Sequence, residues 1–408
     1  MPAVVIYAAS TVLLFVAIAR LRMPGVMRLF PFSGFLLLVG AGLIWINLTT
    51  SWLMDASGAL LHSQFLYAMA VTVTSVTFLA TTSSRITSGC RAHQWFDLHP
   101  LSGLVIVVAI PCIAVAVKFL QLGLSTGDIY ASPGWRAAVA SGARGYEFLL
   151  YQSGAPALSA AIFLLGVRYR RVGVVITAGM LCGALTVYGG RFVVFAGVAI
   201  GLYLLALTKN IHYDSRKSML FGVAIALSLV MFAALRYSAT EDVIINTELL
   251  SITLLRQLAG NVYDFALSSE YVDPEEASSL IGRKLIVAFA PFLQGSSSVS
   301  ETLGSYLAYS AGRSFEGGHR VGYVGELYYL GGYGLCFAAL ILMGFACSAL
   351  DRLYRRGRMS LITAAALMFS VAFSVLIDVS YLLTGLYLFG YLFLVRQLMF
   401  AVTRRRVQ

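Results

Sequence analysis

Apolar runs of about twenty residues, the length needed to cross the hydrocarbon of a bilayer, recur along the whole of this 408-residue chain and constrain its fold more than any other feature. Spans are expected at 3–19, 32–54, 59–81, 101–123, 146–167, 172–187, 192–208, 218–235, 323–350, 360–376 and 381–402. The fold class that follows is an all-α polytopic membrane protein of about eleven transmembrane helices. It reads as a single integral membrane domain over 1–408, not a soluble domain on an anchor. Composition agrees, with 59% hydrophobic and only 12% charged residues, far from the balance of a soluble domain. The run 172–187 is short and needs tilt or a thinned bilayer. The first run ends in Arg20, Arg22 and Arg28 with no charged stretch before it, which is a stop-transfer flank and not a cleavable leader.

A net charge of +11 would suit a nucleic acid if it were gathered on one surface, but here it is dealt out between alternate spans. One side collects Arg20, Arg22 and Arg28, then Arg85 and Arg91, then Arg168, Arg170 and Arg171, then Lys209, Arg216 and Lys217. It also receives Arg352, Arg355, Arg356 and Arg358, and finally Arg404, Arg405 and Arg406. Cytoplasmic loops retain basic residues, so this side is expected inside, with the amino terminus outside and the carboxyl terminus inside. The intervening loops hold Asp55, Asp128, Glu241, Asp242, Glu248 and Asp273. Nucleic acid is thereby excluded as a partner; membrane lipids are the expected surroundings.

Two translocated loops, 121–145 and 236–322, are too long to be simple connectors, and function concentrates in such loops. Thr247 and Glu248 mark a helix start in the larger one. Leu254 or Leu255, Leu258, Val262 and Phe265 then repeat at helical spacing, with Thr253, Gln257, Asn261 and Asp264 on the other face. Such a helix either roofs a membrane cavity or lies at the headgroups. The stretch YVDPEEASSL that follows reads as an acidic loop, and LIVAFAPFL after it is too short to span and reads as re-entrant or buried. Cys90, Cys112, Cys182, Cys336 and Cys347 form no disulfide framework. His62, His93, His99, His212 and His319 lie scattered without ligand spacing, so neither a metal nor another cofactor is expected.

From Arg313 to Gly344 a polar, glycine-rich approach runs into a long apolar helix and carries Glu326 into its first turns. An ionisable group there is costly to bury and points to function. Glu326 and His319 are the candidate proton acceptors for chemistry on a hydroxyl; the competing readings are a carboxylate complementing a helix dipole and an ordinary loop histidine. Arg191, at a tight turn between two spans, and Arg256, Arg313 and Arg320 in or beside the large loop are candidate anion ligands, because a guanidinium donates bidentately to phosphate and stays charged. Snorkelling and surface ion pairs with the loop's acids are the alternatives. Tyr323, Tyr328 and Tyr329, near Tyr333, offer faces on which sugars stack, as interfacial belts also do. Gly331, Gly332 and Gly334 allow either close helix packing or a local break, and packing is the reading adopted.

The stretch GELYYLGGYGLCFAALILMGF resembles the O-antigen polymerase (Wzy) and oligosaccharide repeat-unit polymerase family, whose members carry a similar Gly-Glu-aromatic-Gly-Gly pattern entering a late span. The layout is also similar: many spans, an arginine at a short outer turn (GGRFVVFAG), and one large outer loop before the late Glu-bearing helix. Arg320 and Gly331 enclose ten residues, like the RX10G pattern of some members, whereas Arg191 meets Gly201 one residue early. The resemblance implies a metal-independent glycosyltransferase of the GT-C type in the bacterial inner membrane. It would move a growing glycan from undecaprenyl pyrophosphate onto a lipid-linked repeat unit at the periplasmic face, with a chain-length regulator as a partner. An O-antigen ligase, which transfers glycan to lipid A-core, would share these features, and a lipid-linked oligosaccharide flippase is the reading from another class.

Overall fold

The computed structural model describes residues 2–21, 30–54, 57–82, 247–289, 320–356 and 361–376, together with 379, 382 and 383. The expected spans between residues 101 and 235, the span 381–402 and the loop 121–145 lie outside the described residues. Within them the chain is nearly all helical, and four helices are long and apolar enough to cross a membrane: α1 (Ala3–Leu21 of the helix Pro2–Leu21), α2 (Pro31–Ser51), α3 (Gly58–Thr81) and α6 (Gly322–Arg355). Between them come α4 (Thr247–Tyr271) and α5 (Pro274–Phe289), and α7 (Leu361–Leu376) follows. The expected spans 3–19, 32–54, 59–81 and 360–376 are each a helix within a few residues of their expected bounds.

The amino-terminal helices form a three-helix layer. α1 and α2 run antiparallel, as the bonds of Tyr7 Oη with Thr49 Oγ1 (3.0 Å) and of Trp45 Nε1 to Thr11 Oγ1 (3.0 Å) require. α3 starts where Ser57 caps it, accepting from Leu60 N at 3.1 Å and so satisfying one of the helix's unpaired donors. Leu14, Leu37, Ile44, Leu48, Leu66, Tyr67 and Val71 form the shared core. Midway along α2 the backbone widens into a π-helical stretch, Leu37–Leu43, whose Gly40 lies near the Tyr323 hydroxyl. Polar side chains on these helices are mostly consumed locally: Thr72, Thr74 and Thr77 each donate to the carbonyl four residues earlier.

α4 begins at Thr247 as expected, and its second arm is packed inside the bundle. Gly260, at φ +44°, kinks it, and the second arm packs against α2 and α3. Ser63 Oγ donates to Val262 O, and Val262 and Phe265 are fully buried. Leu258, expected on the apolar face, precedes the kink and is 40% exposed, whereas Asn261, from the polar face, is 5% exposed.

The acidic stretch read as a loop is a helix instead. Asp273 accepts from Glu275 N at 2.8 Å, Pro274 occupies the first turn, and Glu275 and Glu276 follow it. This is a helix start by cap, proline position and dipole together. The buried face of α5 is Ala277, Leu280 and Ile281, packed beside α6.

The largest departure from expectation is α6, which is two arms folded into a hairpin and not one span entered at its first turn. Cys336 Sγ lies 3.6 Å from Val324 O, twelve residues away, where an unbroken helix would separate the pair by about 18 Å. The arms 322–330 and 333–355 meet at Gly331 and Gly332, the latter at φ +63° and ψ −161°. Contacts along α3 agree: Gly325 approaches Tyr67 and Tyr328 approaches His62, so the first arm runs against α3, while Tyr333 meets His62 and Gly344 meets Thr77, so the second runs with it. The glycines expected to serve packing therefore make a turn. A Cβ at Gly332 would meet nothing within 4 Å, so replacing it tests backbone conformation alone. Gly332→Ala is expected to cost about 1–3 kcal/mol, because φ +63° with ψ −161° is backbone that only glycine adopts readily, and Gly332→Asn is expected to lose as much, since asparagine's tolerance of positive φ is confined to the left-handed helical region. Thermal unfolding of the purified protein checks this; an alanine variant as stable as wild type would remove the turn.

The second arm shows Leu335, Leu342 and Phe345 along an exposed stripe, the apolar face that lipid or further helices cover. Its last turn brings Arg352 and Arg355 to the end of the bundle where α2 begins, with the Arg355 guanidinium 4.9 Å above the Phe30 ring.

Candidate functional site

The first arm of α6 is a nine-residue helix inserted into the bundle, and every residue from Val321 to Leu327 is buried. Irregular backbone at such depth requires protein partners for its polar groups, and here they are supplied from three directions. Tyr67 Oη on α3 donates to Val321 O. Asp264 Oδ2 on α4 accepts from Arg320 N at 2.7 Å. Asn261 Nδ2, also on α4, donates to Val375 O at 2.9 Å, and Val379 N donates to Glu326 Oε2 at 2.7 Å. The carbonyls of a helix's last turn lack partners inside that helix, so Asn261 and Glu326 together tie off the carboxyl end of α7. Gly322, at φ +60°, sits against both Asn261 and Val375 O.

Glu326 is therefore 4% exposed and faces protein. It stands in the first turns of its helix as expected, but on the inserted arm ahead of the Gly331–Gly332 turn and not on the long apolar arm. Tyr323 is fully buried, with its hydroxyl near Gly40; it is a core side chain and offers no face to a sugar. Tyr328 and Tyr329 are half-buried near the tip of the hairpin. Tyr329 Oη donates to Ser268 Oγ at 2.9 Å. Arg320 is exposed beside α4. Arg256 belongs to α4 ahead of the Gly260 kink. Arg191, Arg313 and His319 lie outside the described residues.

The tip also contains a residue that sequence reasoning passed over. His62, on the first turns of α3, shares a hydrogen bond of 2.8 Å between its Nε2 and Tyr333 Oη. Its ring lies 5.3 Å from Tyr328 at 71° and 6.0 Å from Phe265 at 69°, and Tyr328 and Tyr333 meet across the hairpin at 5.1 Å. These edge-to-face contacts fix the orientation of all three polar rings. The one signal available earlier was a histidine and a glutamine within an otherwise apolar run; the partner, 271 residues on, could not be read.

The described part of the site thus combines a buried carboxylate, an exposed arginine, and a tip of tyrosines around an imidazole. Comparison with models of protein families, with curated proteins and with solved structures finds no match.

Proposed function

We propose that this chain is a membrane glycosyltransferase that polymerises undecaprenyl-pyrophosphate-linked oligosaccharide repeat units at the periplasmic face of the bacterial inner membrane, in the manner of the O-antigen polymerase family it resembles. The observation that carries the reading is the inserted, carboxylate-bearing arm of α6. Glu326 is buried in an otherwise apolar bundle, and an ionisable group inside a membrane protein is a functional hypothesis by default. The hairpin tip lies at the bundle end away from the basic last turn of α6, and the positive-inside rule assigns that basic end to the cytoplasm.

In this reading the acceptor's hydroxyl oxygen attacks the anomeric carbon of the growing glycan. The bond from that carbon to the pyrophosphate oxygen breaks, and the leaving pyrophosphate keeps the electron pair. Arg191, Arg256, Arg313 and Arg320 hold the departing charge, the role in which fixed cationic donors accelerate most. His319 or Glu326 accepts the hydroxyl proton, Glu326 by giving up its bond to Val379 N. Tyr328 and Tyr329 present rings to the sugars.

A broken helix at membrane depth also suits a transporter, in which half-helix ends line the substrate path, and a flippase is accordingly the second reading. The surface-polysaccharide ladder of a deletion strain separates the cases. Complementation with the wild-type gene is expected to restore it, while Arg320→Ala and Glu326→Gln, at normal protein levels, leave the core carrying a single repeat unit. Accumulation of finished polymer on its lipid carrier would instead make the protein a ligase. Single units held at the cytoplasmic face would make it a flippase.

A further inference from the structure

We infer that the hairpin tip is a glycan-binding site in which His62 Nδ1 and the Tyr328 hydroxyl hold sugar hydroxyls against the Tyr328 and Tyr333 rings. The inference rests on the reading that the protein handles lipid-linked glycans, and it assigns part of that recognition to a residue from the amino-terminal half. Three observations carry it.

First, the cluster is built and not merely apolar. His62 Nε2 is committed to Tyr333 Oη at 2.8 Å, and edge contacts with Phe265 and Tyr328 hold the ring at a fixed angle. A binding group must be locked by its neighbours in this way to be specific. Second, the remaining polar atoms are left over. Neither His62 Nδ1 nor Tyr328 Oη bonds to a described residue, while the adjacent Tyr329 hydroxyl is taken up by Ser268. An imidazole nitrogen can donate or accept according to tautomer, and a phenol can do both, which suits hydroxyls of either polarity. Third, the placement is that of a substrate site and not of a lipid belt. Tyr328 and Tyr333 come from the two arms of one hairpin and meet across the Gly331–Gly332 turn, so the two rings are brought together by the fold and not by neighbourhood in the sequence. Belt residues anchor singly at the interface and require no shared imidazole.

The helical geometry adds a consequence. Tyr328 follows Glu326 by two positions, about 200° around the arm, so the tip faces α3 while the carboxylate faces the end of α7. Recognition of sugar and commitment of Glu326 therefore occupy opposite sides of the same nine-residue helix.

His62 variants separate binding from a purely structural role. Glutamine places its amide nitrogen near Nε2 and keeps a partner for Tyr333 while losing Nδ1; asparagine keeps a polar atom near Nδ1 and loses the Tyr333 bond. The full chain in nanodiscs is titrated with lipid-linked repeat units extracted from the deletion strain, and separately with undecaprenyl pyrophosphate alone. His62→Gln is expected to bind the glycan-bearing lipid about tenfold more weakly, the worth of one hydrogen bond, with an unchanged melting temperature and unchanged affinity for the bare carrier. Tyr328→Leu is expected to lose at least as much. His62→Asn is expected to lower the melting temperature, and if His62 only pins the hairpin, His62→Gln will match wild type in both titrations, which overturns the inference. A wild-type protein that binds the glycan-bearing lipid no better than the bare carrier would overturn the glycan reading itself.

Discussion

Gly322→Ala is expected to be among the most damaging single-methyl additions in the described protein. The position has φ +60°, and a Cβ there would overlap both the amide of Asn261 and the carbonyl oxygen of Val375. Neither can retreat easily. Asn261 is 5% exposed and donates to that same oxygen at 2.9 Å, and Val375 O is backbone at the end of α7. Left-handed strain of about 1–2 kcal/mol, overpacking of about 1–3 kcal/mol and a lost hydrogen bond of about 1 kcal/mol all act in the same direction. The purified variant should unfold at a markedly lower temperature or fail to stay monodisperse in detergent. Gly325→Ala provides the comparison: its backbone is unstrained by sign of φ, but its added carbon would approach Phe265 Cδ2 and Val321 Cβ at 2.8 Å and Tyr67 Oη at 3.1 Å, so it isolates the overpacking part of the loss. The double variant Asn261→Ala/Gly322→Ala should recover only part of the loss, because Val375 O still stands in the way. A Gly322→Ala protein that melts like wild type would mean that the arm does not insert where α4 and α7 converge.

The helices themselves were legible because the information is local. Length and apolarity sufficed for α1, α2, α3 and α7, and Thr247 signalled the start of α4. α5 was equally local but was outweighed by composition: Asp273, Pro274 and the two glutamates spell a helix start, yet four polar or breaking residues together look like a loop. Non-local features stayed hidden. Whether Gly331 and Gly332 pack or turn depends on whether the preceding arm has somewhere to go, and that place is built by Tyr67, Asp264, Asn261 and the end of α7. Asn261 looked like a water-facing residue because periodicity sorts side chains by polarity and cannot foresee a polar partner inside the bundle. For the same reason Glu326 was legible as an acid carried into a helix but not as the acceptor of Val379 N. Tyr323, Tyr328 and Tyr329 looked interchangeable, although one faces Gly40 in the core and the others flank the tip.

At the opposite end of the bundle, Asp351→Ala is expected to destabilise the protein more than any other side-chain truncation there. Asp351 is fully buried, on the last turns of α6, and its carboxylate reaches the first turn of α2. It accepts from Phe32 N at 2.7 Å, Ser33 N at 3.2 Å and the Ser33 hydroxyl. An acid from one helix thus caps another more than three hundred residues earlier, where free N–H groups and the helix dipole both favour negative charge. Truncation leaves two buried backbone donors unmet at about 1–3 kcal/mol each. Asp351→Asn can still accept through its single carbonyl oxygen but must turn an amine toward another donor, so an intermediate loss is expected. Ser33→Ala removes only a hydroxyl and leaves the carboxylate with both backbone bonds, for a loss of about 1 kcal/mol. The order alanine, asparagine at Asp351, then alanine at Ser33 should appear in melting temperatures of the detergent-solubilised protein. Equal losses at Asp351 and Ser33 would show that the hydroxyl contact, and not the capping of α2, holds this end together. The capping account further requires that charge and reach both matter, so Asp351→Glu, which keeps the charge but carries the carboxylate one methylene further from Phe32 N and Ser33 N, is expected to lose less than Asp351→Ala and still to fall short of wild type.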